Sequence, residues 1–570
     1  MAAITRNRTR SIAVLCTTAL ASAVLLTLGE PPALADETLY IVEKPTTSAV
    51  AQPGELGWAI ELANATAGKN TIDIRVDEII LGANLPTITD DITVLGNGSV
   101  VNGNFFSYSA FAVTSGSAEI SNIEVREPNS AGVYVDQSSG DASVLTAVDV
   151  TGASGYAGIS ISSAAGSSVR VVDGTVRNNN IGIEINSWSG GTVEVTGTSI
   201  EANTASGISI SASNDANITI NDVTLDGDVS GSQGIDSQQY GSSKLTIRDT
   251  TISAHNTKGL NALVYANSSL EVLGGTTISS NAEEGIYVYG DGAVLIDETT
   301  IASNGFDDEY PGIDIDGLFD DGSVSITRST ISGNAGDGII ADIADDSILN
   351  ISNSTITGNG VNGIDIDSES RFTLRHSTVT RNVGGGVLVD HSGESAMFSH
   401  NIIAANDRRM QQSDLEIDGR DVTVEWSVVG HFRDYGAPAT PALIEGTGVQ
   451  WDVLDPGLHP LADNGGLTLT QLLTTDSSAL AAGTPNISGA PSTDQRGLPR
   501  VDGGRIDIGA VEVQSQVPNP STEPAALLPA TGFDSAWLLL GSLLLLVPGL
   551  GFLSYALLRR RAEATSPSID

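Results

Sequence analysis

Apolar and polar residues alternate along most of the chain, as in Ser323-Val324-Ser325-Ile326 and Gly363-Ile364-Asp365-Ile366-Asp367. A period of two predicts strands with one buried face. These stretches are only three to five residues long and are divided by Asn- and Gly-rich bends. A longer rhythm organises them. A Gly-Ile-like step recurs at Gly132, Gly158, Gly182, Gly207, Gly234, Gly259, Gly285, Gly312, Gly338, Gly363 and Gly386, with a mean interval near 25 residues. A second landmark precedes each glycine, as in Ile200-Glu201-Ala202-Asn203, Ile278-Ser279-Ser280-Asn281, Ile331-Ser332-Gly333-Asn334, Ile356-Thr357-Gly358-Asn359 and Val379-Thr380-Arg381-Asn382.

Strands this short cannot bury their apolar face alone, so successive repeats must stack. Stacking sets like strands side by side in parallel, and chain handedness favours right-handed connections. The expected fold is all-β: a right-handed parallel β-helix of about fourteen coils. The recurring Asn suits a bend in the left-handed conformation, and stacked Asn side chains can bond from coil to coil. A leucine-rich repeat would show a Leu-x-x-Leu-x-Leu consensus, which is missing, as is the calcium-binding Gly-Gly-x-Gly-x-Asp nonapeptide. Leu56–Ala65 reads as a short amphipathic helix with bulky Trp58, Ile60 and Leu62, placed to cap the open first coil.

The two ends read as addresses. Arg6, Arg8 and Arg10 precede an apolar run, and Ala33-Leu34-Ala35 supplies the small residues of a secretory cleavage site. Cys16, the chain's one cysteine, falls in that segment, so the exported chain has no disulfide, thiolate site or cysteine nucleophile. Near the other end, Leu528-Pro529-Ala530-Thr531-Gly532 precedes an apolar stretch at 537–558 and then Arg559-Arg560-Arg561. The apolar stretch, at ~1.5 Å per residue, spans about one bilayer core, and the arginines hold its end in the cytoplasm. This arrangement resembles the LPxTG sorting signal of Gram-positive surface proteins. The resemblance implies that sortase cuts between Thr531 and Gly532 and joins Thr531 to peptidoglycan. The membrane is then met only through the helix before sorting, and the mature chain sits on the cell surface.

After Phe432 the period disappears. Asp455-Pro456, Leu461-Ala462-Asp463-Asn464-Gly465-Gly466, Asp494-Gln495-Arg496-Gly497-Leu498-Pro499-Arg500 and Asp507-Ile508-Gly509-Ala510-Val511-Glu512 follow in order. That series resembles the closing module of the choice-of-anchor Q domain surface proteins, which implies a pectin-lyase-like β-helix and no settled activity. Arg496, Arg500 and Asp507 suit an ion-paired end cap. The chain therefore divides into a signal peptide (1–35), an N-terminal cap with the first coils (36–117), the repeats (118–432), a C-terminal cap (433–513), a Pro-rich linker (514–527), the sorting motif (528–532), a transmembrane helix with basic stop (533–561) and a tail (562–570).

Charge narrows the function. The 69 acidic residues exceed the 26 basic ones by 43, and the segment between the two ends carries 65 acids against 20 bases. Nucleic-acid binding by phosphate neutralisation is excluded, and anionic lipid surfaces are disfavoured. Part of the acidity is concentrated. Asp316, Asp342, Asp367 and Asp390 stand four positions beyond their glycines, and Asp314 and Asp365 stand two beyond. The intervening isoleucines face the core, so these aspartates face out. Tyr287 and Tyr289 hold the same sites in the preceding coil, and an insertion at 306–311 adds Tyr310 alongside.

Carboxylates stacked ~4.8 Å apart repel by about 1 kcal/mol per neighbouring pair even at water's dielectric constant. A solvated acidic face with raised pKa values is one outcome. Calcium held by Asp316, Asp342, Asp367 and Asp390 is a second. A third is a carboxylate pair for glycoside hydrolysis drawn from Asp314, Asp316, Asp342, Asp365 and Asp367, with Tyr287, Tyr289 and Tyr310 as sugar contacts. Of the polygalacturonase-like motifs only Asp320-Asp321 is present, and it lies in a Gly-flanked bend. A lyase needs a Lys or Arg base, and none of Lys44, Lys69, Lys244 and Lys258 lies in a coil of the aspartate column. The six histidines show no metal spacing. The favoured reading is a wall-anchored adhesive or display rod with an acidic, calcium-accepting face. The alternative is a surface-attached polysaccharide hydrolase or lyase.

Overall fold

The structure is a computed structural model that describes residues 37–514, except 105–108, 139, 228–231, 392–394, 407–412, 420, 436–442 and 486–490. The expected signal peptide with Ala33 and Ala35, the expected sorting motif Leu528 to Gly532 and the apolar stretch at 537–558 lie outside the described residues. No helix among the described residues is long and apolar enough to cross a membrane.

The alternating stretches are strands, and every strand pairing is parallel between successive coils, as in Ser323–Thr327 with Ile348–Ser352. One face of the solenoid is a 14-stranded sheet; the other two strands of each coil join a 29-stranded sheet. The product is the expected right-handed parallel β-helix of about fourteen turns with almost no helix. The interior is a set of aliphatic files, including Ile286, Ile313, Ile339, Ile364 and Val387, all fully buried. The helix Leu56–Ala65 is present and buries Leu56, Ala59, Ile60 and Ala63, while Trp58 meets Tyr40 edge-on at 6.2 Å. Leu62 points outward instead.

The landmark asparagines form the expected ladder. Asn281, Asn304, Asn334, Asn359 and Asn382 each donate Nδ2–H to Oδ1 of the next Asn at 2.9–3.1 Å, the last to Asn406. Asn406 ends the run on the buried carboxylate of Asp414 at 2.9 Å. The bend itself works differently from the expectation. The left-handed residue is the one before the Asn, namely Ala202, Ser280, Ser303, Gly333, Gly358, Arg381 or Ala405. Asparagine is needed for its side chain, and its neighbour takes the turn.

The landmark glycines that open eleven strands of the 14-stranded sheet are required by space. A Cβ on Gly338 would sit 2.4 Å from Gly363 O and 2.8 Å from Asn359 Nδ2, and the same crowding repeats along the column.

The segment 455–513, expected as an end cap, makes its contacts along the flank of the coils. Thr468 bonds Arg328 O, Thr330 bonds Leu469 O, Gln495 bonds Ser329 O and Thr355, and Ala510 N–H bonds Thr378. Fully buried Arg500 reaches Asn353 Oδ1 and the carbonyls of Gly509 and Ala510. Arg496 does pair with buried Asp494 at 2.7 Å, but Asp507 accepts backbone N–H groups of Ala481 and Val513. The segment also shares a small core with the coils, Leu458, Leu473, Ala479 and Ile508 meeting Ile402 and Val428. It is a lateral strap.

Candidate functional site

The outward face of the 14-stranded sheet carries the acidic column. Asp316 pairs with Asp342, Asp342 with Asp367, Asp367 with Asp390, and Asp390 with Asp418. All five are exposed. Two residues earlier on the same strands runs a second file, Tyr287, Asp314, Ile340, Asp365, Leu388 and Glu416, each half-buried. The file of exposed aspartates keeps its alignment through a bulge at Gly317 (φ +100°), whose missing Cβ leaves room for the Tyr289 ring 3.0 Å away.

The upper end of the face is a hydrogen-bonded cluster. The Tyr287 hydroxyl donates to Asp316 Oδ2 at 2.8 Å. Lys258 Nζ lies 5.2 Å from the centre of the Tyr287 ring, 2.8 Å from Glu284 and 3.5 Å from Glu283. Burial, helped by the charges of Glu284 and Asp316, pushes the Asp314 carboxyl up to about 6, although Lys258 pulls the other way. Burial and Asp316 likewise raise the Tyr287 hydroxyl. Lower down, buried Asp337 accepts the Asn362 N–H at 2.9 Å, and Asn362 Nδ2 reaches Asp365 at 3.3 Å. Burial raises Asp337 to about 6, and raises Asp365 and Asp342 as well.

Aromatic residues border the face on both sides. Tyr240, Tyr265, Tyr289 and Phe319 form a ladder along one edge, with ring centres 5.2, 6.1 and 5.5 Å apart. Tyr289 lies half-buried between two rings that meet it edge-to-face, while Tyr240 ends the ladder 43% exposed. On the other edge the inserted loop stacks Phe306, 68% exposed, against Tyr310 at 5.0 Å. Burial and the charge of Glu283 raise the Tyr310 hydroxyl.

The structure thus brings Asp314, Asp316, Tyr287 and Tyr289 together, sets Asp342, Asp365, Asp367 and Asp390 in line below them, and hangs Tyr310 from the loop. Sequence reasoning set Lys258 aside as lying outside the aspartate coils and missed Glu284, Asp337 and Asn362, yet Lys258 sits against Tyr287 and Glu284 and acts on Asp314. All four occupy the position just before a landmark glycine, so their column was readable once that position was aligned. It also missed Asp418, the fifth member of the file.

Calcium does not fit this arrangement. Among the described residues no group of three or more His, Cys, Asp or Glu side chains could hold a metal ion. One carboxylate per coil makes a file, whereas calcium needs six to eight oxygens gathered round one point. Arg328 pairs with Asp297 and with Glu298, the latter at 2.7 Å.

The chain belongs to the right handed beta helix region family, whose model matches residues 109–274 and 261–421. Solved structures similar to it include tailspike protein 3 of bacteriophage CBA120, at 12% identity over 73% of this chain and a TM-score of 0.38. The chain spans 60% of that tailspike's length. The periplasmic alginate epimerase AlgG is similar at 11% identity over 60% of this chain and 77% of its own, with a TM-score of 0.34. For pectate lyase Pel9A the values are 15%, 84%, 97% and 0.28. No curated protein matches.

Proposed function

We propose that this chain is an exported, choice-of-anchor Q type surface protein whose acidic sheet face binds a carbohydrate. Signal peptidase would cut after Ala35, sortase would join Thr531 to peptidoglycan, and the helix Leu56–Ala65 would shield the first coil. The observation that carries the binding role is the file of exposed carboxylates from Asp316 to Asp418, with exposed Phe306 beside its upper end and the ladder of Tyr240, Tyr265, Tyr289 and Phe319 leading up to it. Carboxylates accept hydrogen bonds from sugar hydroxyls, and rings with a free face, Tyr240 and Phe306, can stack on sugar rings.

The test is a glycan array probed with the exported chain and with an Asp342→Ala, Asp367→Ala variant, each with and without a calcium chelator. We expect binding that falls at least tenfold in the variant and is unaffected by chelation. Equal signals from the two proteins, or none from either, would sink the reading.

The raised Asp314 supports a second reading, a glycoside hydrolase in which Asp314 is the general acid and an exposed neighbour, Asp316, the partner carboxylate. An acid held near 6 keeps its proton in mildly acidic medium. Under this reading Asp314→Asn abolishes release of reducing ends from any glycan the array identifies, while binding persists. Folding supplies an independent check of the shift. A carboxyl raised in the folded state costs stability above its folded pKa, and the cost disappears as pH falls through about 6 toward its ordinary 3.8. Urea titrations should find Asp314→Asn more stable than the parent at pH 7 and equal to it below pH 4.

A further inference from the structure

In successive coils, one corner residue in the left-handed conformation separates the two strands that join the 29-stranded sheet. In coils without the strap it is Asp222 or Asp249, both exposed. Under the strap it is half-buried Arg328 and then Asn353, His376 and His400, which are all buried. The two imidazoles stack at 4.6 Å, and His400 stacks on Trp426 at 6.1 Å. His400 Nδ1 lies 2.9 Å from Ser399 Oγ, whose hydroxyl donates to Glu425 Oε1 at 3.1 Å. His400 Nε2 accepts the Thr484 N–H of the strap at 3.0 Å. Contact is close, since a Cβ on Gly483 would sit 2.6 Å from His400 Cδ2, and Gly509 N–H bonds His400 O at 2.8 Å.

A ring nitrogen that accepts a backbone N–H cannot also carry a proton. Protonating His400 therefore displaces Thr484. We propose that the strap is a pH-sensitive latch, which closes on neutral His376 and His400 and opens when they take up protons.

The charged groups facing these rings are Arg375 and Glu425 from the solenoid and Arg500 from the strap, with Asp494, Arg496, Asp507 and Glu512 around Arg500. Burial first, then Arg500, holds His400 down to about 4 despite the Thr484 bond. Burial, Arg500, His400 and Arg375 hold His376 well below its ordinary value. Glu512 works in the opposite sense, because burial raises it to about 8; Asp507 is also raised by burial.

With the latch open, the histidines return to about 6.5 and Glu512 to about 4.5. From pH 8 to 6.5 the closed form holds one proton more than the open form, on Glu512, so closure strengthens about tenfold per pH unit as pH falls. Below pH 6.5 the open form gains two protons on the histidines, against the one on Glu512 and the share that raised Asp507 takes in the closed form, so closure weakens as pH falls, by up to about tenfold per unit. Latch stability peaks near neutrality.

Hydrogen exchange of amides in 479–484 and 508–511, measured on the full chain from pH 8 to 5 and corrected for intrinsic rates, reads the latch directly. We expect maximal protection near neutrality and a loss of up to about tenfold per unit on either side, with the strand Leu260–Val264 unchanged. In His400→Asn, which tolerates the left-handed backbone at φ +59°, protection becomes flat below pH 6.5. In Glu512→Gln the alkaline limb vanishes and the acid limb becomes steeper than in the parent. The proposal is overturned if His400→Asn keeps the parental acid limb, or if the parent stays fully protected at pH 5. Imidazole nitrogen shifts in the parent guard against a misfolded variant, since a His400 that protonates near 6.5 under a closed strap also overturns it.

Discussion

A single asparagine shows how a repeat becomes a structure. Asn334 accepts both the backbone N–H and the Nδ2–H of Asn304 on one oxygen, at 3.0 and 3.1 Å, and passes its own Nδ2–H to Asn359 and to Ile301 O. All of these groups are buried, so none has water as an alternative. Asn334→Ala strands the Asn304 N–H and is expected to cost roughly 3 kcal/mol, visible as a lower urea midpoint at unchanged slope. The same residue marks the limit of reading by type. Asparagine's tolerance of the left-handed region suggested that it makes the bend, yet the preceding residue bends and Asn334 supplies the amide. Both roles favour asparagine near a turn, and only coordinates separate them. The site residues divide similarly. Outward aspartates followed from period-two alternation, whereas the raised Asp314 depends on its burial and on the charge of Glu284 in another coil, at a sequence distance no local pattern encodes.

At the scale of the coil, the 25-residue period was legible because the fold imposes it three times over. The buried file demands an aliphatic at alternate places, the ladder demands Asn, and the close approach of neighbouring backbones demands Gly. None of the landmark glycines has positive φ, so their recurrence reflects crowding rather than conformational freedom. Gly338→Ala should therefore cost 1–3 kcal/mol by overpacking against Gly363 O and Asn359, and calorimetry should record a lower Tm. A surface substitution such as Ser325→Ala in the strand Ser323–Thr327 serves as the control and should change little. The aromatic ladder was half legible. Tyr287 and Tyr289 stood out as outward residues, but Tyr240, Tyr265 and Phe319 sit at the strand ends, where bends of unequal length hide the alignment. As a result Tyr289 looked like a free platform and is instead an interior rung.

For the molecule as a whole, parallel stacking was readable because no other arrangement buries strands of this length. The path of the last part of the chain was not. Once the period stops, the sequence offers turn residues and isolated ion-pair partners such as Asp494 and Arg496, and these suit an end plug and a side strap equally well. What decides is long-range: Gln495, Arg500 and Ala510 find partners about 130 to 165 residues earlier. The acidity also gains a location, since the exposed file from Asp316 to Asp418 concentrates it on one face.

The lateral path of the strap has a mechanical consequence. Whatever holds the chain beyond Gln514, tension arriving there enters a segment riveted side-on to several coils, from Arg328 to Ile402. Such a joint is loaded in shear, with its hydrogen bonds strained together, whereas a terminal coil pulled directly would be peeled one bond at a time. The helix can thus bear a pull from its C-terminal end without unravelling from that end, and the joint between strap and flank becomes the place where the molecule yields first.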